Sequence, residues 1–470
     1  MTAGTKKTNS TLTRRQLLQA GGAGVATAAL AASGTAAAQD GATSVDVVVI
    51  GAGAAGTMAA REVMKAGKSV VLIEANDRIG GRLKAGEIAG QTIDLGGQWV
   101  GPQQSYALKI AEELGLTKYP MHLEGEGIGI VQGETYRFKT NNLPLPGEAL
   151  LDLGQTFAKL NVAAREVPTN APWKAPKAKE WDAMTVDTWI EQNAKHPATK
   201  EILRFIIEAV GSVEASQISF LQWLFYIHSG ESIEVLTGTI GGAQQDLYVE
   251  GFHQIPVRLA ASLGNRVVMG SPVRAIEQDE HGVTVRAVKG TWKAQRVIVT
   301  VPPYATSKID FSPELPYKRR GLMQRMPMGT VIKCFLAYDT PFWREEGLSG
   351  ECYNTGAAFS LFYDITAPGK THGVLSGFFD GGPAQAWSDK TLEERRERVI
   401  EDVATLLGKK AKKPLEYVEQ NWPQEPWSIG GYTSIPGPGV LTHFGEAIAE
   451  PCGRIHWSGT ETAEAWSGYV

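Results

Sequence analysis

The chain opens its patterned region with two short apolar runs. Val45-Asp46-Val47-Val48-Val49-Ile50 ends in Gly51, and Ser69-Val70-Val71-Leu72-Ile73-Glu74 follows some twenty residues later. Runs of this length, rich in β-branched residues and bounded by glycine, predict buried strands. Between them Ala54 to Ala66 reads as a helix with few breakers, so the order is strand, glycine turn, helix, strand. Farther along, Lys200 to Val210 and Leu221 to Ile227 carry helical patterns. Arg266 to Met269, Val283 to Ala287, Gln295 to Val301 and Lys333 to Tyr338 read as strands. Thr391 to Leu407 is a charged amphipathic helix whose polar face is solvated. Leu143-Pro144-Leu145-Pro146-Gly147 and the segment from Val167 to Pro176 are proline-rich connectors. No internal repeat is visible.

Length and composition narrow the class. A chain of 470 residues supports two or three domains. With 43% hydrophobic and 20% charged residues it has an ordinary globular balance. A net charge of −4 without a sustained basic patch excludes a nucleic-acid partner. The three cysteines, Cys334, Cys352 and Cys452, lie far apart without metal-ligand spacing, so no metal site is expected. The first forty residues read as a targeting segment. Arg14-Arg15 precedes a weakly apolar Ala/Gly stretch through Ala32, and Ala36-Ala37-Ala38 offers a cleavage site. This predicts export by the twin-arginine route to the periplasm or beyond. The apolar run is too short and glycine-rich to anchor in a membrane, and no other spanning segment occurs.

The glycine turn carries the first chemistry. Gly51, Gly53 and Gly56 permit a tight turn, close backbone approach to a pyrophosphate and helix–strand packing. The following helix presents free N–H groups and its positive dipole end to phosphate. Glu74 closes the second strand 18 residues after Gly56, where a carboxylate accepts hydrogen bonds from ribose hydroxyls. Strand, turn, helix and acid together mark a dinucleotide site.

Four further segments resemble the flavin-containing monoamine oxidase family. Arg78-Ile79-Gly80-Gly81-Arg82 resembles its second glycine motif, where backbone and an arginine meet the pyrophosphate. Asp94-Leu95-Gly96-Gly97-Gln98-Trp99-Val100-Gly101 resembles the segment along the flavin, and Ser271-Pro272-Val273 the strand whose backbone meets adenine. Gly459-Thr460-Glu461-Thr462-Ala463-Glu464-Ala465-Trp466-Ser467-Gly468-Tyr469 resembles the C-terminal flavin segment. The likeness spans roughly Val45 to Val470. It also includes Ala171 to Pro176, Met328 to Cys334, Asn421-Trp422 and Gly430-Gly431-Tyr432-Thr433.

The resemblance implies a mixed α/β (α+β) amine oxidase fold. A Rossmann-like FAD-binding domain in three pieces (45–118, 248–312 and 418–470) is interleaved with a mixed-sheet and helical substrate domain (119–247 and 313–417), after a signal segment at 1–40. The nucleotide sheet is expected to resume near Val249 and again near Val418. FAD contacts are carried over to Gly51, Gly53, Ala55, Gly56, Glu74, Ala75, Arg78, Gly81, Arg82, Gly97, Gln98, Trp99, Val273, Trp422, Trp427, Gly459, Thr460, Glu461 and Val470. Lys333 is expected near flavin N5 through a water, and Tyr432 and Tyr469 as paired aromatic walls before the flavin. Ala209, Val210, Val235, Leu236 and Gln244, with Phe362 or Tyr363, are expected to line or gate the substrate cavity.

Gly431 stands where mitochondrial members carry the flavin-bonding cysteine, which implies non-covalent FAD. The chain ends one residue after Tyr469, where the family continues into a glycine-rich helix, so this helix is expected to be missing. The implied reaction is oxidative deamination, with hydride or an equivalent passing to flavin N5 and O2 reoxidising the flavin to give peroxide. The implied partners are a small amine and O2, with a homodimer allowed. The alternatives are oxidation of secondary, cyclic or polyamines, or an amine dehydrogenase serving a protein electron acceptor. No residue is placed for a substrate carboxylate or a second ammonium.

Overall fold

A computed structural model describes residues 42–141 and 145–469. The twin-arginine segment, Leu143-Pro144 and Val470 lie outside the described residues.

Five parallel strands form the nucleotide sheet, in the spatial order Val267–Val268, Val70–Ile73, Val47–Ile50, Arg296–Val299 and Ile455–Trp457. In chain order this is 3-2-1-4-5, the doubly wound arrangement that places a ligand at the carboxyl ends of its central strands. The helix Ala54–Lys65 covers the sheet and packs on the helix Gln254–Leu263. A second five-stranded sheet, built mainly from Val273–Gln278, Val283–Ala287 and Gly290–Ala294, flanks it.

The other large layer is a seven-stranded sheet. Its order is Glu416–Asn421, Val331–Tyr338, Gly373–Asp380, Leu361–Asp364, Leu348–Asn354, Glu126–Val131 and Glu134–Phe138. Val331–Tyr338 and Gly373–Asp380 are central and buried at every position, which is why they read as nearly unbroken apolar runs. Helices Gly147–Arg165, Pro197–Gly211 and Phe220–Ser229 form one continuous apolar core beside this sheet.

Two expectations about the nucleotide sheet are corrected. The segment near Val249 does not rejoin it: Asp246–Tyr248 pairs with Lys118–Pro120, and the sheet resumes at Val267. The strand around Val418 pairs antiparallel with Val331–Tyr338 in the seven-stranded sheet, and the nucleotide sheet gains its last strand only at Ile455. Local β pattern specifies a strand but not its partner, which is set by packing on both faces. The helix Leu392–Leu407 forms as expected and is capped by a reciprocal box between Thr391 and Glu394.

Candidate active site

One cavity of about 1110 Å³ runs from the carboxyl ends of the nucleotide strands to the seven-stranded sheet. At the nucleotide end, Gly51, Gly53, Ala55 and Glu74 line it. Gly51 has φ +99°, and a Cβ there would meet Thr300 Oγ1 at 2.8 Å. A Cβ on Gly56 would stand 1.8 Å from the Gly51 carbonyl oxygen, so this glycine does not face the cavity but lets the helix seat against the turn. Glu74 Oε2 accepts from the Ala52 N–H at 2.6 Å and Oε1 from the Asn76 N–H at 2.8 Å. Burial raises its carboxyl above the ordinary range, against those two donors and the Arg78 charge. An acid so placed, glycines that cannot carry a side chain, and an open 12-residue helix N-terminus fit the adenosine and pyrophosphate of FAD.

The second glycine motif behaves differently from the expectation. Arg78 does not line the cavity: its Nη1 donates to the Gly81 carbonyl at 2.9 Å and Nη2 reaches Glu425 at 3.4 Å. It braces the turn through the carbonyl that the turn leaves free. Arg82 does line the cavity, but its fork is taken by Glu461 at 2.7 and 3.1 Å, and Nη1 also donates to the Tyr432 carbonyl at 2.8 Å. Glu461 is itself buried away from the cavity. Burial alone would raise its carboxyl, but Arg82 and backbone donors outweigh burial and hold it below the ordinary value. Ala75 and Val273 are also off the cavity. Ala75 lies between two lining residues, and Val273 packs in the core while its strand pairs with Ala287.

Gly81, Gly97, Gln98, Trp99, Trp422, Trp427, Gly459 and Thr460 line the cavity as expected. Trp422 Nε1 donates to the Leu95 carbonyl at 3.0 Å, which fixes the indole beside the Gly96-Gly97 turn.

Lys333 projects from Val331–Tyr338, the second strand of the seven-stranded sheet, into the same cavity. Its ammonium nitrogen donates to the carbonyls of Asp94 and Gly96, both at 2.8 Å, and to Gln98 Oε1 at 2.5 Å. The rings of Trp99, Phe335 and Phe378 stand with centroids 5.2–5.6 Å from it. Burial pushes its pKa down to about 7, with Asp94 opposing the fall.

Tyr432 and Tyr469 line the same cavity. Each is held from behind. The Tyr432 hydroxyl donates to Asp380 Oδ1 at 3.1 Å, and its ring meets Phe378 edge-on at 6.2 Å. The Tyr469 carbonyl accepts from the Thr460 hydroxyl at 2.9 Å, and its ring packs against Trp466 and Tyr226.

Ala209, Val210, Val235, Leu236 and Gln244 all line the substrate end. Of the pair Phe362 and Tyr363, only Tyr363 does so. Phe362 points to the opposite face of the sheet and packs on Phe359. Lining residues not singled out from sequence include Tyr226, Phe378, Tyr353 and Glu351. Asp380, just behind Tyr432, was also missed. The only sequence signal for the two acids is a lone carboxylate in a strand, within Leu348 to Asn354 and at the end of Gly373 to Asp380.

Known proteins resemble this chain over most of its length. The pattern of the flavin containing amine oxidoreductase family matches residues 54–470. A flavin-containing amine oxidase of Oncorhynchus mykiss is 36% identical over 431 residues, covering 90% of this chain and 83% of that protein. An L-amino acid dehydrogenase of a Synechocystis strain is 35% identical over 438 residues, covering 91% and 92%. Among solved structures, putrescine oxidase bound to putrescine superposes with a TM-score of 0.88 at 31% identity, covering 91% of this chain and 96% of that one. With the glycine cradle, the buried lysine and the two tyrosines on one cavity, this chain belongs to the flavin-containing amine oxidoreductase family and is an FAD-dependent amine oxidase.

Proposed function

We propose that the protein deaminates an aliphatic or aryl-alkyl amine that enters neutral between Tyr432 and Tyr469, and that O2 is its electron acceptor. The observation that carries this is the convergence of Lys333, Tyr432 and Tyr469 on one cavity with the nucleotide cradle. FAD, which Gly51, Gly53 and Glu74 would hold, would supply a two-electron acceptor for oxidation of the amine to an imine that water hydrolyses to an aldehyde. The chain supplies everything around that step. The two tyrosine rings orient the amine through their faces and exclude water. Asp380 and Arg82 fix Tyr432 at its hydroxyl and its carbonyl. Lys333 places a positive charge, or a neutral amine close in energy to it, beside the reacting end.

Two features support finer assignments. Gly431 lines the cavity without a side chain, and among the described residues no cysteine or histidine does so, which favours non-covalent FAD. Among the described lining residues the only arginine is Arg82, already tied to Glu461, so an amine without a carboxylate fits better than an amino acid. Export by the twin-arginine route, proposed from Arg14-Arg15 and the cleavage site, suits a protein that folds around its cofactor before leaving the cytoplasm.

The test is anaerobic mixing of the yellow holoenzyme with primary, secondary and polyamines while the flavin absorbance is recorded. Bleaching by an amine, followed by recovery and peroxide on admitting O2, is expected. Holoenzyme that no amine bleaches would refute deamination, and reduced enzyme that O2 does not reoxidise would point to a protein acceptor.

A further inference from the structure

The substrate end of the cavity is apolar in Phe138, Phe157, Phe205, Ile206 and Leu361, yet it contains a carboxylate. Glu351 lies on the strand Leu348–Asn354 and faces the cavity. Its Oε2 accepts from the Thr140 hydroxyl at 2.9 Å. Among the described residues it forms no ion pair, whereas the carboxylates of Glu425, Glu419 and Glu461 inside the same fold do. Tyr353, which lines the same cavity, is 4% exposed, and its hydroxyl has no hydrogen-bond partner. The electrostatic influence of Glu351 reaches both Tyr353 and Tyr363, so the three groups stand together. A buried acid without a cation, next to a buried hydroxyl without a partner, is costly unless something polar arrives.

Register places this cluster relative to the reacting end. Lys333 pairs with Phe378, Phe378 with Leu361, and Leu361 with Tyr353, and all four line the cavity. Three strand spacings separate Lys333 from Tyr353, about 14 Å. An extended chain advances about 1.2 Å per bond, so the span corresponds to roughly eight to twelve bonds once both side chains are allowed for.

We propose, resting on the amine-oxidase reading above, that Glu351 and the Tyr353 hydroxyl form a subsite for a second cationic centre, and that the preferred substrate is a long linear diamine or polyamine. One amine enters between Tyr432 and Tyr469 while the distal ammonium donates to the Glu351 carboxylate, with the methylenes covered by the apolar wall. A four-carbon diamine is too short to engage both ends.

The test compares kcat/KM of the holoenzyme and its Glu351→Gln variant on the eight-carbon α,ω-diamine, n-octylamine and the four-carbon α,ω-diamine. Glutamine keeps the size and the Thr140 contact but removes the charge. In the parent, the eight-carbon diamine should be preferred to the four-carbon one. In the variant, the ratio of eight-carbon diamine to octylamine should fall about 10- to 100-fold, chiefly through KM, as loss of a charged hydrogen bond requires. An unchanged ratio, or a parent that favours the four-carbon diamine, overturns the subsite while leaving deamination intact. A holoenzyme that oxidises none of the three overturns both.

Discussion

Lys333→Met separates a structural lysine from a chemical one. Holding this side chain in the fold has displaced its pKa from 10.5 to about 7, which corresponds to about 5 kcal/mol against the charged form. Methionine removes that cost and has nearly the same reach. Against this, the carbonyls of Asp94 and Gly96 and the Gln98 oxygen lose their donor, at roughly 1–3 kcal/mol for each that stays buried and unpaired. The two effects are of similar size and opposite sign. Stability should therefore change by no more than about 4 kcal/mol in either direction. The chemistry has no such compensation. Loss of a preorganised cation or donor beside a reacting centre typically costs about 100- to 1000-fold.

The assay is stopped-flow flavin reduction by an amine and, separately, reoxidation by O2, on protein shown to carry a full complement of FAD. At least one half-reaction should slow by about 100-fold or more. Both rates within threefold of the parent, at full flavin content, would refute the role given to Lys333. A second readout is independent of turnover. Because the folded pKa lies below the unfolded value, the unfolded chain binds the extra proton between about pH 7 and 10.5, so the lysine makes stability rise with pH across that window. The difference in unfolding free energy between parent and variant should follow that slope and should flatten below about pH 7.

Other perturbations address the rest of the site. Glu74→Ala strands the Ala52 and Asn76 N–H groups and removes the ribose acceptor, so FAD affinity should fall at least about tenfold, measured by flavin fluorescence titration; an unchanged Kd would contradict the assignment. Gly56→Ala drives a methyl to 1.8 Å from the Gly51 carbonyl, and the purified variant should carry little flavin; a fully yellow variant would show that the turn yields more than the packing suggests. Glu461→Gln breaks a buried pair with Arg82 and should destabilise by about 3 kcal/mol in urea unfolding. Since Glu461 is held below its ordinary 4.5, its contribution is complete above that pH and is lost as pH falls through the folded value; the variant should lose this acid-limb dependence. Burial pushes Glu351 up to about 7, so its charged form, and with it preference for the long diamine over octylamine, should grow as pH rises through that region. Thr140 does not titrate there, and Tyr353 and Tyr363 are pushed well above their ordinary values and stay neutral; a flat ratio from about one pH unit below to one above that value would count against a titrating Glu351.

What the amino-acid sequence disclosed follows the range of each interaction. The glycine turn, its helix and Glu74 were legible because they sit within one βαβ unit, where spacing fixes geometry. Lys333 was legible because a charge inside Val331-Ile332-Lys333-Cys334-Phe335-Leu336 contradicts its surroundings. The role of Arg78 was misjudged because its partner, Glu425, is distant in sequence, and spacing alone cannot tell a phosphate contact from a brace. The strand at Val418 was given to the wrong sheet for the same reason. Glu351 has a charge inside a strand, as Lys333 has, but Leu348-Ser349-Gly350-Glu351 alternates too little to say which face it takes.

The two ends of the chain act together for a reason that only the folded arrangement shows. Arg82, in the second glycine motif, binds Glu461 in the C-terminal segment and the Tyr432 carbonyl between them. Thr460, beside Glu461, binds the Tyr469 carbonyl and accepts from the Gly468 N–H at 2.6 Å. One guanidinium thus ties Tyr432 and Glu461 to the second glycine motif, and the neighbouring Thr460 hydroxyl holds Tyr469. If that motif holds the cofactor, a substrate that presses on Tyr432 loads the same network. In the Glu461→Gln variant, weaker FAD retention and a higher amine KM should consequently appear together. A rise in KM with FAD affinity intact would show that the walls and the cradle are mechanically separate.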